Sequence, residues 1–300
     1  MAHIHGIQPS NSSLHKRKLK IVLIMTFIYL VAEVAGGIIT QSLALLADAG
    51  HMLTDAGGLL LALLAIRYGE RKPDRRRTFG YYRAEILAAL TNAVVLIVIS
   101  FFILYEAYQR FLHPPEVATT GMMLVAVTGL LVNSTGILVL RKDSGASLNM
   151  KAAYFEVLSD ALTSIAVIAA GLIMQLTGWY AVDSVLSAGI GLFILPRTWG
   201  LLRASVNVLL EAVPGEIDLV AMRTDLLNIN GVCSIHDLHV WSLTSGVNMM
   251  STHLVHHSDA DAMQVLRDAQ ELLEHRYHIT HTTIQTEQEG AVLHEKELHP

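Results

Sequence analysis

Between about residue 19 and residue 200 the sequence alternates apolar windows of some 20 residues with short charged loops. A window of that length is what an α-helix needs to cross the roughly 30 Å hydrocarbon core of a bilayer. Lipid offers no partner to backbone N–H and C=O groups, so such windows fold as helices that satisfy their own hydrogen bonds. Six crossings are expected, near 19–39, 43–66, 84–107, 118–140, 151–175 and 182–200. Composition agrees, with 52% hydrophobic and 16% charged residues and a mean hydropathy of +0.46, too apolar for an ordinary soluble domain. The link Thr40-Gln41-Ser42 is so short that the first two helices are expected to be antiparallel neighbours.

Basic residues sort by loop. Lys16, Arg17, Lys18 and Lys20 precede the first window; Arg67, Arg71, Lys72, Arg75, Arg76 and Arg77 lie between the second and third; Arg141, Lys142 and Lys151 lie between the fourth and fifth. The alternate loops carry only Arg110. The positive-inside rule then puts both termini in the cytoplasm, and the expected location is the plasma (inner) membrane. The N-terminus lacks a small-residue cleavage site and its first apolar run is too long for a signal peptide. The chain divides into a flexible stretch 1–15, a membrane domain 16–210, a soluble domain 211–287 and a loose tail 288–300. A net charge of -5 gives no reason to expect nucleic-acid binding.

The second window holds Asp48, His51 and Asp55. Residues four apart share a helix face, about 6 Å apart along the axis, so His51 and Asp55 have the spacing of two ligands to one ion. Ionisable groups in lipid cost roughly 2.5 to 3.5 kcal/mol each and are expected to face the bundle interior with a function there. The fifth window repeats the device with Glu156 and Asp160. Two helices with two ligands each can close a four-coordinate site, one imidazole and three carboxylates, a set that zinc accepts. Without thiolate the site is harder and tolerates cobalt or manganese. Asp48, one turn before His51, is either an outer acceptor that fixes the imidazole tautomer or a cap of the helix. Glu33 in the first window is read either as functional or as a structural hydrogen-bonder, while Asn92 and Asn133 read as interhelical hydrogen-bonders.

From Pro214 the pattern changes to a helix at 216–228, strands at 232–243 and 247–256, a helix at 259–275 and a strand at 279–287. This αββαβ order describes a small open-faced α+β sandwich, with two helices on one face of a short sheet. The single cysteine, Cys233, excludes a disulfide framework and a Cys-rich metal site. His236, His239, His253, His281 and Glu287 fall on or beside strand ends where a sheet could converge them, whereas His256 and His257 read as solvated surface.

Ser42 to Asp48 followed by His51-Met-Leu-Thr-Asp55, the Glu156/Asp160 pair, Thr78-Phe-Gly-Tyr-Tyr-Arg83-Ala-Glu85, and His236-Asp-Leu-His239-Val-Trp241 with His281 to Glu287 together resemble a cation diffusion facilitator, over about residues 16 to 287. The resemblance is nearest to the bacterial cobalt-zinc-cadmium resistance (zinc efflux) branch. It implies a homodimeric exporter of Zn2+, and of Cd2+ and Co2+ beside it, with an all-α bundle of six transmembrane helices. It also implies a ferredoxin-like, metallochaperone-like cytoplasmic domain and exchange against protons. His51, Asp55, Glu156 and Asp160 would then form the transport site. His236, His253 and Glu287 would bind regulatory metal, with His239 and His281 as further candidates, although strand histidines could equally pack at a dimer surface without metal. Arg83 and Glu211 occupy positions that resemble a charge interlock between helix bundles, although an interfacial arginine alone reads as snorkelling to lipid phosphate. The chain departs from many zinc-selective relatives by having Glu156 where they carry histidine, and it lacks a histidine-rich loop between the fourth and fifth windows.

A divalent ion leaving a cell that is negative inside works against about 2.3 kcal/mol per charge per 100 mV, so export needs a downhill partner. Protons compete with metal for the same lone pairs and can serve as that partner. A manganese or iron exporter is the nearest alternative. An intramembrane metalloenzyme is disfavoured, since there is no His-Glu-x-x-His helix, and four protein ligands leave zinc no position for water. A membrane metal sensor would need an output domain that the sequence lacks.

Overall fold

The computed structural model describes residues 9–69, 73–141 and 148–290, without the side chains of 9–19, 55, 59–66, 68–69, 148–150 and 152. Six long helices come first: α1 (Pro9–Thr40), α2 (Leu43–Gly69), α3 (Arg83–Leu112), α4 (Thr119–Leu140), α5 (Leu148–Thr177) and α6 (Ala181–Leu209). Among the described residues, five stretches are long and apolar enough to cross a membrane: Lys20–Thr40, Arg83–Leu112, Thr119–Leu140, Ala153–Thr177 and Ala181–Leu209. The helices outrun the apolar windows. α1 starts at Pro9, inside the stretch expected to be loose, because proline suits a first helical turn and no glycine or proline interrupts the chain until Gly36. α6 continues past residue 200 through Pro196, which a membrane helix tolerates where neighbouring groups re-satisfy the backbone.

The chain forms two compact units. The first takes residues 1–60 and 92–200. Ala44 and Leu45 of α2, Met122 and Ala126 of α4, and Val167, Ala170 and Met174 of α5 make one of its buried clusters. Large side chains such as Phe27, Ile28, Phe101, Phe102 and Leu131 point outward, as expected of helices whose outer faces meet lipid. Close approach depends on small residues. A Cβ at Gly129 of α4 would collide with the ring and hydroxyl of Tyr29 on α1.

The start of α2 is tied down with unusual completeness. The Asp183 carboxylate, on the first turn of α6, accepts from the Ser42 hydroxyl at 2.7 Å and from the backbone N–H of Leu43 and Ala44 at 2.7 and 3.3 Å. Ser42 Oγ in turn accepts from the Leu45 N–H at 3.2 Å. Orphan donors at a buried helix N-terminus need such partners, and a carboxylate there also complements the helix dipole.

The second unit takes residues 61–91 and 201–300. Within it α7 (Leu219–Leu227), β1 (Val232–Thr244), β2 (Val247–His256), α8 (Ala262–Tyr277) and β3 (His281–Gln288) follow in the expected order. The sheet order is β1-β2-β3, with β1 and β2 antiparallel and β2 and β3 parallel. The hairpin turns at Gly246, whose φ of 73° suits glycine. Asp218 and Asp261 cap α7 and α8 by accepting from the N–H groups two and three residues on. Met222 and Leu226 of α7 and Val265, Ala269 and Leu273 of α8 share one buried core with Ile235, Val240, Met250 and Leu254 of the sheet.

The Tyr277 hydroxyl at the end of α8 donates to Asp225 of α7 at 2.5 Å, and Arg276 pairs with the same carboxylate at 2.8 Å. Burial first, and the Asp225 hydrogen bond second, push the phenol up to about 12 from 10.0. A raised pKa means that stability is full below the unfolded value and is lost as pH rises through the folded one. In Tyr277→Phe, α7 and α8 amides are expected to exchange with deuterium about fivefold faster at neutral pH, for a bond contributing about 1 kcal/mol. That gap should close as pH rises from 10.0 toward about 12.

Candidate metal centre

His51 stands two turns into α2, and Glu156 and Asp160 stand one turn apart on α5. The structure brings these three together: one ligand atom from each lies within 4.8 Å of the others, and His51 Nε2 is 3.4 Å from Glu156 Oε1. Asp160 is buried and the other two are partly so. Asp55, the fourth expected ligand, follows His51 by four residues in α2, but its side chain lies outside the described residues.

Asp48 is buried and does not cap the helix, because α2 starts five residues earlier and its capping bonds are made by Ser42 and Asp183. Its carboxyl stands beside that of Glu33 and close enough to His51 for electrostatic interaction, outside the three-residue group. Glu33, also buried, accepts from the Tyr29 hydroxyl at 2.8 Å. Asn133 departs from its expected role: it is buried, and neither side-chain polar atom has a hydrogen-bond partner among the described residues.

Sequence reasoning passed over Arg197. Its two terminal nitrogens each lie 3.4 Å from Glu156 Oε2, so a fixed cation already sits on a carboxylate of the group. The available signal was an arginine directly after Pro196, inside an apolar helix.

In the second unit, His236 of β1 pairs in register with His253 of β2, and Glu287 of β3 lies opposite Val255. Glu287 takes one histidine on each oxygen, His253 Nδ1 at 2.6 Å and His236 Nε2 at 3.2 Å, with the two rings 4.7 Å apart. Burial alone would raise the Glu287 carboxyl, but the hydrogen bonds from His253 and His236 outweigh it and hold the group below the usual range. The carboxylate is therefore ionised at neutral pH. His239 and His281 are not brought to this cluster. His239 is exposed and opposite Ser251, and the His281 ring stands edge-on to Phe79 at 6.1 Å.

Arg83 and Glu211 form an ion pair at 2.6 Å. Beside it Glu85 accepts from the Thr244 and Ser245 hydroxyls at 2.6 and 2.9 Å, a link from the start of α3 to the β1-β2 turn. The sequence had assigned Glu85 no role.

Imidazole and carboxylate groups gathered between long apolar helices, with a separate His-Glu cluster in a small α/β unit, are the kind of side chains that could hold divalent cations in a membrane protein. Residues 19–210 match the cation efflux transmembrane domain, and residues 214–289 match the cytoplasmic domain of cation efflux proteins. The chain belongs to the cation efflux family and is a multi-pass membrane protein. It is 48% identical to the cation efflux system protein CzcD of Alcaligenes sp. (strain CT14), covering 91% of this chain and 87% of the relative. It is 44% identical to the zinc transporter ZitB of Pectobacterium atrosepticum, over 96% and 89% of the two chains. A cadmium, cobalt and zinc/H(+)-K(+) antiporter of Bacillus velezensis is 42% identical, over 96% and 92%. These relatives are named for cation efflux, zinc transport and antiport.

Proposed function

We propose that the chain exports Zn2+, together with Cd2+ and Co2+, from the cytoplasm across the inner membrane in exchange for protons. Divalent metal efflux of the zinc type follows from the family and from relatives named for zinc, cadmium and cobalt transport. The observation that carries the site assignment is the convergence of His51, Glu156 and Asp160 from two helices. Asp55 completes a four-ligand set, and six crossings leave both termini cytoplasmic. The antiporter named among the relatives supports proton coupling, as does the competition of protons with metal for these ligands. Residues 16–210 form the transport domain. Residues 211–287 form a ferredoxin-like cytoplasmic domain that pairs two copies into a homodimer and binds regulatory metal at His236, His253 and Glu287.

The test is a panel of Zn2+, Cd2+, Co2+ and Mn2+ in proteoliposomes with an imposed pH gradient. Uptake ranking zinc-type metals above Mn2+ supports the reading; Mn2+ above Zn2+ overturns the metal assignment, and no flux of any metal overturns transport.

Arg197 enters the mechanism as a competitor for Glu156. Removing its charge frees that carboxylate for the ion, so Arg197→Gln is expected to lower KM and also to slow release, reducing kcat. Concentration-dependent flux reads both; unchanged kinetics would remove Arg197 from the mechanism.

The Arg83–Glu211 pair is proposed to act as a charge interlock. Arg83→Glu and Glu211→Arg are each expected to lower transport, with recovery in the double variant. No recovery would reduce the pair to an exposed contact, of a kind that contributes about 0 to 1 kcal/mol.

A further inference from the structure

The ends of the three strands carry a second, unassigned group of ligand atoms in the soluble unit. Cys233 lies near the start of β1, His257 directly follows β2 and Glu289 directly follows β3. Cys233 Sγ is 3.0 Å from His257 Nδ1, which is itself 3.0 Å from Glu289 Oε2, and one ligand atom from each lies within 4.8 Å of the other two.

The backbone holds this grouping. Val232 pairs with His256 and Ser234 with Val255, so Cys233 is the extra residue of a bulge, a device that re-aims a side chain. The His257 N–H donates to Gly231 O at 2.9 Å, and the Glu289 N–H donates to His256 O at 2.9 Å. Each ligand therefore sits on a segment stitched to the next. The group is distinct from His236, His253 and Glu287: toward the same end of the sheet it lies three residues back on β1, four on past His253 and two on past Glu287. Two residues of strand span about 7 Å.

The geometry points to a cation site of thiolate, imidazole and carboxylate at Cys233, His257 and Glu289, suited to a thiophilic divalent ion. Three protein ligands with a fourth position open to water fit tetrahedral zinc or cadmium, and the thiolate favours these over manganese or magnesium. Binding replaces the thiol S–H by an S–metal bond and releases that proton to water, with no change of oxidation state. The membrane ligands are oxygen and nitrogen alone, so this site ranks metals differently from the transport site. It stands whether or not the transport reading holds.

The test uses the full-length, reduced and chelator-stripped protein in detergent, with Cd2+ as the probe. The sequence has one cysteine, so any ultraviolet thiolate-to-cadmium charge-transfer band reports Cys233 alone, however much Cd2+ the histidine cluster takes up. The band is expected to saturate at an amplitude of one thiolate-cadmium bond per chain, and to be absent in Cys233→Ser. In His257→Ala and Glu289→Gln its midpoint should rise at least about tenfold, while in His253→Ala the midpoint should stay at the wild-type value. Cd2+ should also slow alkylation of Cys233 in the unmutated protein, a readout that needs no variant to fold. Absence of the band, a midpoint indifferent to His257 and Glu289, or alkylation unaffected by Cd2+ would overturn the site.

Discussion

Asp160→Ala is expected to abolish metal export while leaving the protein inserted. Asp160 is a buried carboxylate that shares a 4.8 Å group with His51 and Glu156, and on the proposed assignment its loss leaves the ion short of a ligand and of a negative charge. Loss of an outer partner of a metal ligand already costs 10- to 100-fold in affinity or activity, so loss of the ligand itself should lower flux by more than about a hundredfold. Helix α5 keeps its apolar faces, and alanine is a good helix former, so expression and membrane insertion should be unchanged. Flux in proteoliposomes normalised to inserted protein decides the matter, and Asp55→Ala should behave in the same way. Activity near that of the unmutated protein in either variant would defeat the site assignment.

Collapse of the pH gradient is expected to stop uphill export. The proposed ligands are an imidazole and carboxylates, each of which must shed its proton before it can hold metal. In the proposed antiport, protons arriving from the outer side would expel the ion outward and return inward on the emptied carrier. With an ionophore that exchanges K+ for H+, which removes the pH difference and leaves the membrane potential in place, the metal has only its own gradient and that potential, which opposes exit by about 2.3 kcal/mol per charge per 100 mV. Dye-reported flux against a metal gradient should fall to the leak rate. Export continuing at full rate would rule out proton antiport.

Much of this architecture could be read from the residues. Apolar length located the long helices because lipid enforces a minimum crossing, and i, i+4 spacing located His51 and Glu156/Asp160 because helical phase is local. Helix ends were less legible: the polar turns at Pro9 and beyond Gly200 continue the helix, since ends depend on partners as well as on hydropathy. Contacts between distant segments were the least legible. Arg197 on Glu156, Asp183 on the start of α2 and Glu85 on the β1-β2 turn join residues from about 40 to 160 positions apart, and no local pattern announces them. His257 reads as surface in one dimension and meets Cys233 and Glu289 only when three strand ends are drawn together. His239 and His281 show the converse, since strand positions near a cluster need not face it.

The latch between Asp183 and the first turn of α2 makes that helix a lever with a fixed fulcrum. At 1.5 Å per residue His51 lies about 12 Å from Leu43, and Gly69 about 39 Å. A tilt of roughly 10° about the latched end, with α2 moving as a rigid rod, displaces the imidazole by about 2 Å and the far end by about 7 Å. A swing of about 7 Å at the far end thus moves His51 by little more than one coordination distance, enough to break a bond to an ion held there without dismantling its surroundings.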